Sequence, residues 1–555
     1  MPRMDHDHRI TISVNGRRVS ARGDRSLLAA LTHEHLPVLT RSLKYHRPRA
    51  PFCGTGQCTG CLVRVNGEPS VRACEYLPRE GDVVRTQRGW PSTQHDLWAL
   101  FDRLFPRYLD TTHGFTRPAF LRPVYTRFVR RFSGQGAVPD DAPGPLPRPL
   151  ERETPVLVVG GGQAALSVAS ELVRMLGPDR VLHIGHPKRP GLQHSLLFLR
   201  PPVRGVFEAV AYRQGEPALR LQSRAVVLAT GAYDASLLFP GNDRPGVMTA
   251  EGAETFASGE DGPPFRHALL FGAGPRAVEM LSRLKGRVAL VATPWEATPE
   301  LAQEATRQSI PLHPGQLLLS AEGPSGIQTA VLKDRRSGAT TPVSVDAIVL
   351  AHRRIPHAAA LFQAGALMQW RDDPGAYFPV LASNGATSVP GLYAIGEVAG
   401  SGFGAFPEEE AHRVAQSVVA QLEGGKESAP EGAPSEGPVP GATSSPGPEC
   451  PMLSYYRDFL RERPQSKVML CACEDVCLDE MEGVVREGWG GLEVAKRISG
   501  VGMGLCQGRY CVPETMLVLS LLERRPPSEI GTITQRPPIW PVPLGALAGT
   551  EEGTP

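Results

Sequence analysis

Ten cysteines fall in two islands of this 555-residue chain: Cys53, Cys58, Cys61 and Cys74, then six between Cys450 and Cys511, with none from position 75 to 449. A disulfide framework is seldom packed into two ends of a long chain whose start, MPRMDHDHRI, has no apolar leader, and cytosolic thiols are kept reduced. Clustered thiols in that setting read as metal or redox ligands. In the first island, Cys53-x4-Cys58-x2-Cys61 followed by Cys74 is the plant-type [2Fe–2S] spacing. Gly54, Gly56 and Gly60 let the loop wrap closely and aim amide N–H groups at sulfur. Zinc is the alternative for four thiolates, but it usually takes two Cys-x2-Cys pairs.

In the second island, Cys471-x-Cys473 and Cys506-x4-Cys511 make another four-thiol set. Helical segments between them bring the pairs together, and Gly502, Gly504 and Gly508 allow close backbone approach. Zinc is again the alternative. Cys450 and Cys477 fall outside the pattern and read as a linker thiol and a packed thiol.

Between the islands lie two strand–turn–helix signatures. TPVLVVGGGQAALSVASELVRML carries Gly160, Gly161, Gly162, Gln163, Ala164 and Ala165 as G-x-G-x-x-A, which sets a pyrophosphate on a helix N-terminus. Thr230 and Gly231 end a later apolar strand, and Gly396 and Glu397 end another. HALLFGAGPRAVEMLSRL repeats the fingerprint with Gly272, Gly274 and Ala277. An NAD site wants an acid at the end of the next strand. After Gly272 that strand ends in Ala292 and Thr293, which argues against NAD(P). The first unit has the same gap at Ile184, Gly185 and His186, and the stretch from there to RAVVLATG is short. FAD in the first unit is the stronger reading. With no cysteine from 75 to 449, disulfide-reductase chemistry beside the flavin is excluded.

The elements that must position these groups divide the chain into several domains, since one core does not serve so many residues. Residues 1–90 open with two strands around an Asn15-Gly16 turn and then a helix, as in a β-grasp ferredoxin. Residues 91–150 are a connector of two aromatic-rich amphipathic pieces and a Pro-rich linker, whose aromatics serve to pack domains. Residues 151–423 form the FAD/NAD(P)-type core, with its second nucleotide unit at about 262–360. Residues 424–450 are Gly/Pro/Ser/Glu-rich and read as a disordered linker. A small helical cluster domain follows at 451–525, and an extended tail at 526–555. The fold class is multidomain α/β with a two-dinucleotide-binding, Rossmann-like flavoprotein core.

Lys+Arg 59 against Asp+Glu 57 leaves a net charge of +2, too little concentrated basic surface for nucleic acid to be the main partner. No apolar run approaches a membrane span. The expected location is the cytoplasm, with membrane association only through a partner. The basic run RSLKYHRPRAP before Cys53 reads either as a solvated face or as a loop that docks a nucleotide or steadies a reduced cluster.

The phrase GMG-x-CQGR-x-C around Cys506 and Cys511 resembles bacterioferritin-associated ferredoxin, which implies a second [2Fe–2S] cluster on Cys471, Cys473, Cys506 and Cys511. The order of ferredoxin module, GGG-x-AA unit, FPGNDRPGVM (Phe239 to Met248), second Gly-rich unit, GEVAG and C-terminal cluster domain covers nearly the whole chain. It resembles the flavoprotein subunits of amino- and imino-acid dehydrogenase complexes: opine oxidases, proline and hydroxyproline dehydrogenases, hydrogen cyanide synthase and sarcosine oxidase α. The resemblance implies an electron-relay subunit beside a glycine/D-amino-acid-oxidase-like flavoprotein subunit, passing electrons to a quinone or other carrier. It implies that Glu397 stands where an acid contacts the flavin, and that the second unit holds NAD(P) or, structurally, ADP or ATP. No catalytic constellation for a substrate stands out in the core. The competing readings are a self-contained NAD(P)H-dependent reductase and a scaffold or cluster sensor with a degenerate flavin site.

Overall fold

The computed structural model describes residues 9–33, 38–109, 120, 123, 149–185, 194–213, 216–257, 262–404, 408–424, 450–462 and 466–542. His186, most of the second connector piece and linker positions 425–449 lie outside the described residues. The chain forms two compact units. One gathers the described residues of Met1–Ala142, Asp234–Arg353 and Leu453–Arg525; the other those of Pro143–Tyr233, Arg354–Met452 and Pro526–Pro555.

The first unit begins with a strand, Arg9–Val14, that alternates buried Ile10, Ile12 and Val14 with outward residues. Asn15 and Gly16 take positive φ (49° and 84°), as a two-residue hairpin turn demands, and Asn66-Gly67 repeats the device. The strands Arg17–Arg22, Arg9–Val14, Val83–Arg85, Leu62–Val65 and Glu68–Arg72 lie side by side in that order. Helix Leu27–His33 packs on them, which is the β-grasp arrangement. Cys74 sits just past the return strand, in a turn, rather than on the strand itself.

In the same unit a five-stranded parallel sheet runs Val247–Thr249, Ala347–Ala351, Ala268–Gly272, Val288–Ala292, Leu312–His313. It begins earlier in the chain than the span 262–360, because Val247–Thr249 forms its edge. Its core is continuous with that of the ferredoxin sheet. The C-terminal portion adds a short hairpin, Met469–Cys471 with Val476–Cys477, and helices Leu478–Arg486, Leu492–Ser499 and Val512–Glu523.

The second unit is built on the sheet Ser195–Leu199, Phe207–Tyr212, Leu219–Leu228, Leu150–Val159, Val181–Ile184, with Leu392–Ala394 also pairing Leu219–Leu228. The first three strands form an antiparallel meander where a longer flavoprotein would carry a helix. Helix Gln163–Leu176 buries Ala165, Val168, Ala169 and Leu172 against this sheet. That is one face at helical spacing, and Val168 and Leu172 each contribute about 1.5–3 kcal/mol by burial. The tail lies extended: Ile539 N–H donates to Leu197 O at 2.6 Å, and Ile539 and Trp540 join the core of this unit. Cys450, expected as a linker thiol, is 1% exposed, because it leads into the buried start of helix Pro451–Arg461.

Candidate redox centres

Cys53, Cys58, Cys61 and Cys74 are all buried, and they group in twos. The sulfurs of Cys53 and Cys58 meet, as do those of Cys61 and Cys74. Two thiols per iron is the division a [2Fe–2S] cluster needs. Backbone amides point inward: Gly56 N–H donates to Cys74 Sγ (3.1 Å), Gln57 and Thr55 to Cys53 Sγ (3.3 and 3.5 Å) and Gly60 to Cys58 Sγ (3.4 Å). Burial pushes the Cys53 thiol up, but hydrogen bonds from Cys58 and these amides outweigh it and bring it to about 5. Its partner Cys58 is driven up, first by the bond to Cys53. Two glycines are required here. A Cβ on Gly60 would sit 2.0 Å from Ala50 O, and Gly54, at φ +62°, has Thr255 packed on it at 2.7 Å.

Cys471 ends a strand and Cys473 follows in the turn; Cys506 and Cys511 lie before helix Val512–Glu523. All four sulfurs interact in a ring, and amides of Gly502 and Glu474 reach Cys471 while Gly508 reaches Cys506. A Cβ on Gly504 would lie 2.4 Å from Cys473 Cβ, so only glycine admits this approach. Both donor sets, buried thiols ringed by amides, fit a [2Fe–2S] group. Cys477 stands apart; its buried thiol is pushed up to about 11 and donates to Arg107 O at 3.4 Å.

The basic run before Cys53 is no solvated face. Arg47 donates bidentately to Asp243 (2.7 and 2.8 Å) and to Asp102 (2.7 Å). Arg49, 5% exposed, bonds Asp243 and, at 2.6 Å, Asp475. Asp475 also accepts from the amides of Lys44 and Tyr45, and Lys44 reaches Glu480 at 3.0 Å. Burial would raise the Asp243 carboxyl, yet the two guanidiniums hold it far below the usual carboxylate range. This hub ties the ferredoxin module to the C-terminal thiols. Its only sequence signals are the basic run and the Asp inside FPGNDRPGVM.

In the second unit, Gly160 has φ +149°, and a Cβ there would lie 2.1 Å from Ala229 O. Gly162 faces open space and caps helix Gln163–Leu176 without a side-chain partner, so the first amides of the helix are free for a pyrophosphate. Gly396 packs its backbone on Ala164, and Gly231 stands near the Glu397 carboxylate. Arg354 takes both oxygens of Glu397 at 2.7 and 2.9 Å. Thr230 Oγ1 donates to His357 O at 2.8 Å. His183 Nε2 meets Gly160 O at 2.8 Å and buttresses the turn; the described end of that strand offers no acid for a ribose. The residues fit the pyrophosphate end of FAD.

The other Gly-rich turn differs. Gly274 has φ +71°, and a Cβ on Gly272 would strike Ala351 O at 2.4 Å. Pro275 removes one amide from the first turn, and Ala277 is buried in the sheet's core. Arg276 occupies the helix start, paired to Asp234, Glu254 and Glu279. Ala292 and Thr293, fully buried, close the next strand with no carboxylate beside them to take a ribose.

Known proteins share this layout. Residues 7–89 match the 2Fe-2S iron-sulfur cluster binding domain, 209–424 the pyridine nucleotide-disulphide oxidoreductase family, and 465–551 the sarcosine oxidase A3 domain. The sarcosine oxidase alpha chain of Rhizobium meliloti is 26% identical over 99% of this chain and 59% of its own length. This chain therefore spans somewhat over half of that relative. Hydrogen cyanide synthase subunit HcnA of Pseudomonas aeruginosa is 36% identical over 14% of this chain and 74% of its own. The L-proline dehydrogenase structure from P. horikoshii superposes with a TM-score of 0.64, at 19% identity and 98% coverage of both chains, and so shares the fold. Fold and donor sets define an FAD-type, iron–sulfur oxidoreductase. The chain belongs to the flavoprotein family that includes the larger chains of sarcosine oxidase and opine oxidase together with the hydrogen cyanide synthase subunits.

Proposed function

We propose that this chain is the electron-relay subunit of a multi-subunit, FAD-dependent amino- or imino-acid dehydrogenase, of opine, sarcosine, proline, hydroxyproline or glycine type. Cys53, Cys58, Cys61 and Cys74 hold one [2Fe–2S] cluster; Cys471, Cys473, Cys506 and Cys511 hold a second. Gly160 to Ala165, Thr230, Gly231, Gly396 and Glu397 hold FAD. When bound, these groups supply one- and two-electron transfer. The residues hold thiolates away from water, direct amides at sulfur and present a helix N-terminus to phosphate. Substrate oxidation falls to a glycine/D-amino-acid-oxidase-like partner, and a quinone or other carrier accepts the electrons. The observation that carries the reading is the pair of buried, amide-ringed thiol quartets in one compact unit.

Iron, acid-labile sulfide and flavin per chain, measured on anaerobically purified protein, test it. About four irons, four sulfides and one FAD are expected. Zinc without sulfide would overturn it. A second reading, an NAD(P)H-dependent reductase, gains nothing from the Gly272 turn, where Pro275 and Arg276 stand against a dinucleotide. Absence of flavin bleaching by NADH separates the two.

A further inference from the structure

Resting on that reading, we propose that Thr59 is a cross-domain tuning residue, its hydroxyl on the first thiol loop donating a hydrogen bond to Cys473 of the second quartet. Thr59 Oγ1 lies 3.4 Å from Cys473 Sγ and has no other partner among the described residues. Cys473 is the one thiol of the eight that is not fully buried, and Thr59 stands at its open side. With Cys473 bound as thiolate, the hydroxyl can only donate.

The contact is held in place from several sides. The Phe52 and Tyr510 rings, next in sequence to Cys53 and Cys511, meet edge to face at 5.1 Å and 88°. Tyr510 Oη donates to Gln57 Oε1 at 3.4 Å, and Arg72 Nη2 donates to Leu505 O at 3.5 Å. The Arg49–Asp475 pair locks the same two segments two residues beyond Cys473. Thr59 neighbours Cys58 in the chain, so ordinary bond spans keep the Cys58 and Cys473 sulfurs within roughly 12 Å of each other. That is close enough for the unpaired spins of two reduced clusters to interact.

A hydrogen bond to a ligand sulfur stabilises the more negative, reduced state and raises the potential of that cluster. Removing it lowers the second potential and leaves the first nearly where it was, because the hydroxyl reaches only Cys473.

The test is an EPR-monitored redox titration of the full-length, cluster-loaded protein, comparing wild type, Thr59→Val and Thr59→Ser. Thr59→Val is expected to cut the reduced-to-oxidised ratio of the second cluster several-fold at its wild-type midpoint. Thr59→Ser is expected to keep the wild-type value. Unchanged potentials in the valine variant, or equal shifts of both clusters, would overturn the assignment. Fully reduced wild type provides an arm that needs no variant: mutually split signals are expected, and two unsplit signals would overturn the direct contact. Fewer than two clusters by iron and sulfide analysis would instead overturn the relay reading itself.

Discussion

Asp243→Asn is the substitution whose cost is set most directly by the geometry. Asp243 is 3% exposed at its side chain and accepts two bonds from Arg47 and one from Arg49, themselves 12% and 5% exposed. Asparagine can accept at one atom and turns an NH2 toward a guanidinium at the other. Arg47 keeps Asp102 and Arg49 keeps Asp475, so each cation loses one of two counter-charges. Removing one partner of a buried pair costs about 3–5 kcal/mol; the retained partners favour the lower end. Since about 1.4 kcal/mol is tenfold in an equilibrium, local opening of the basic loop should become roughly a hundred times more frequent. Hydrogen exchange on the loaded protein reads this at the amides of Leu39 and Ser42, which donate to Arg49 O and Arg47 O. The sign with pH follows from the same pairing. A carboxyl held below its unfolded pKa contributes stability that is complete above that unfolded value, about 3.9, and is lost as pH falls toward the folded value. Protection, corrected for intrinsic exchange, should stay level from pH 7 to about 4. A loss of protection under about threefold in Asp243→Asn would refute the reasoning.

The remaining predictions concern the centres. Cys58→Ser and Cys506→Ser should each remove one cluster and spare the other, read by iron, sulfide and EPR; loss of both from one substitution contradicts two separate quartets. Gly160→Ala should abolish flavin retention while leaving iron unchanged, because its Cβ meets Ala229 O at 2.1 Å; normal flavin content would show the turn is not the phosphate site. Gly504→Ala should disturb only the second cluster, since its Cβ reaches 2.4 Å from Cys473 Cβ; an unaltered EPR signal from that cluster contradicts the close approach.

Much of the architecture is legible in the sequence because its determinants are local. Asn15-Gly16 and Asn66-Gly67 specify hairpins within a few residues, and G-x-G-x-x-A needs only a strand before it and a helix after it. The Cys53 to Cys61 spacing is likewise short-range. What stays hidden depends on partners distant in sequence. Arg47 and Arg49 read as a basic run because Asp243 and Asp475 carry no mark of pairing with them. Thr59 is one polar residue in a Gly-rich loop, and Tyr510 one aromatic in a phrase dominated by cysteine. Cys450 reads as linker because its composition window is linker-like, while its burial is decided by helix Pro451–Arg461. The edge strand Val247–Thr249 escapes pattern reading because three residues are too few to show a period.

The Arg49–Asp475 pair joins residues 426 positions apart, which gives the molecule a timetable. At about 5–20 residues per second, a ribosome needs roughly 20–85 seconds to travel from one to the other. During that interval the ferredoxin loop has been made, but Asp475, Cys473 and Tyr510 have not. The first thiol quartet therefore meets the cell's iron–sulfur delivery machinery with its outer side uncovered, and the second arrives to close over it. The order of translation becomes an order of metallation: first island, then second, with the buried arginine as the latch that waits for the chain to finish.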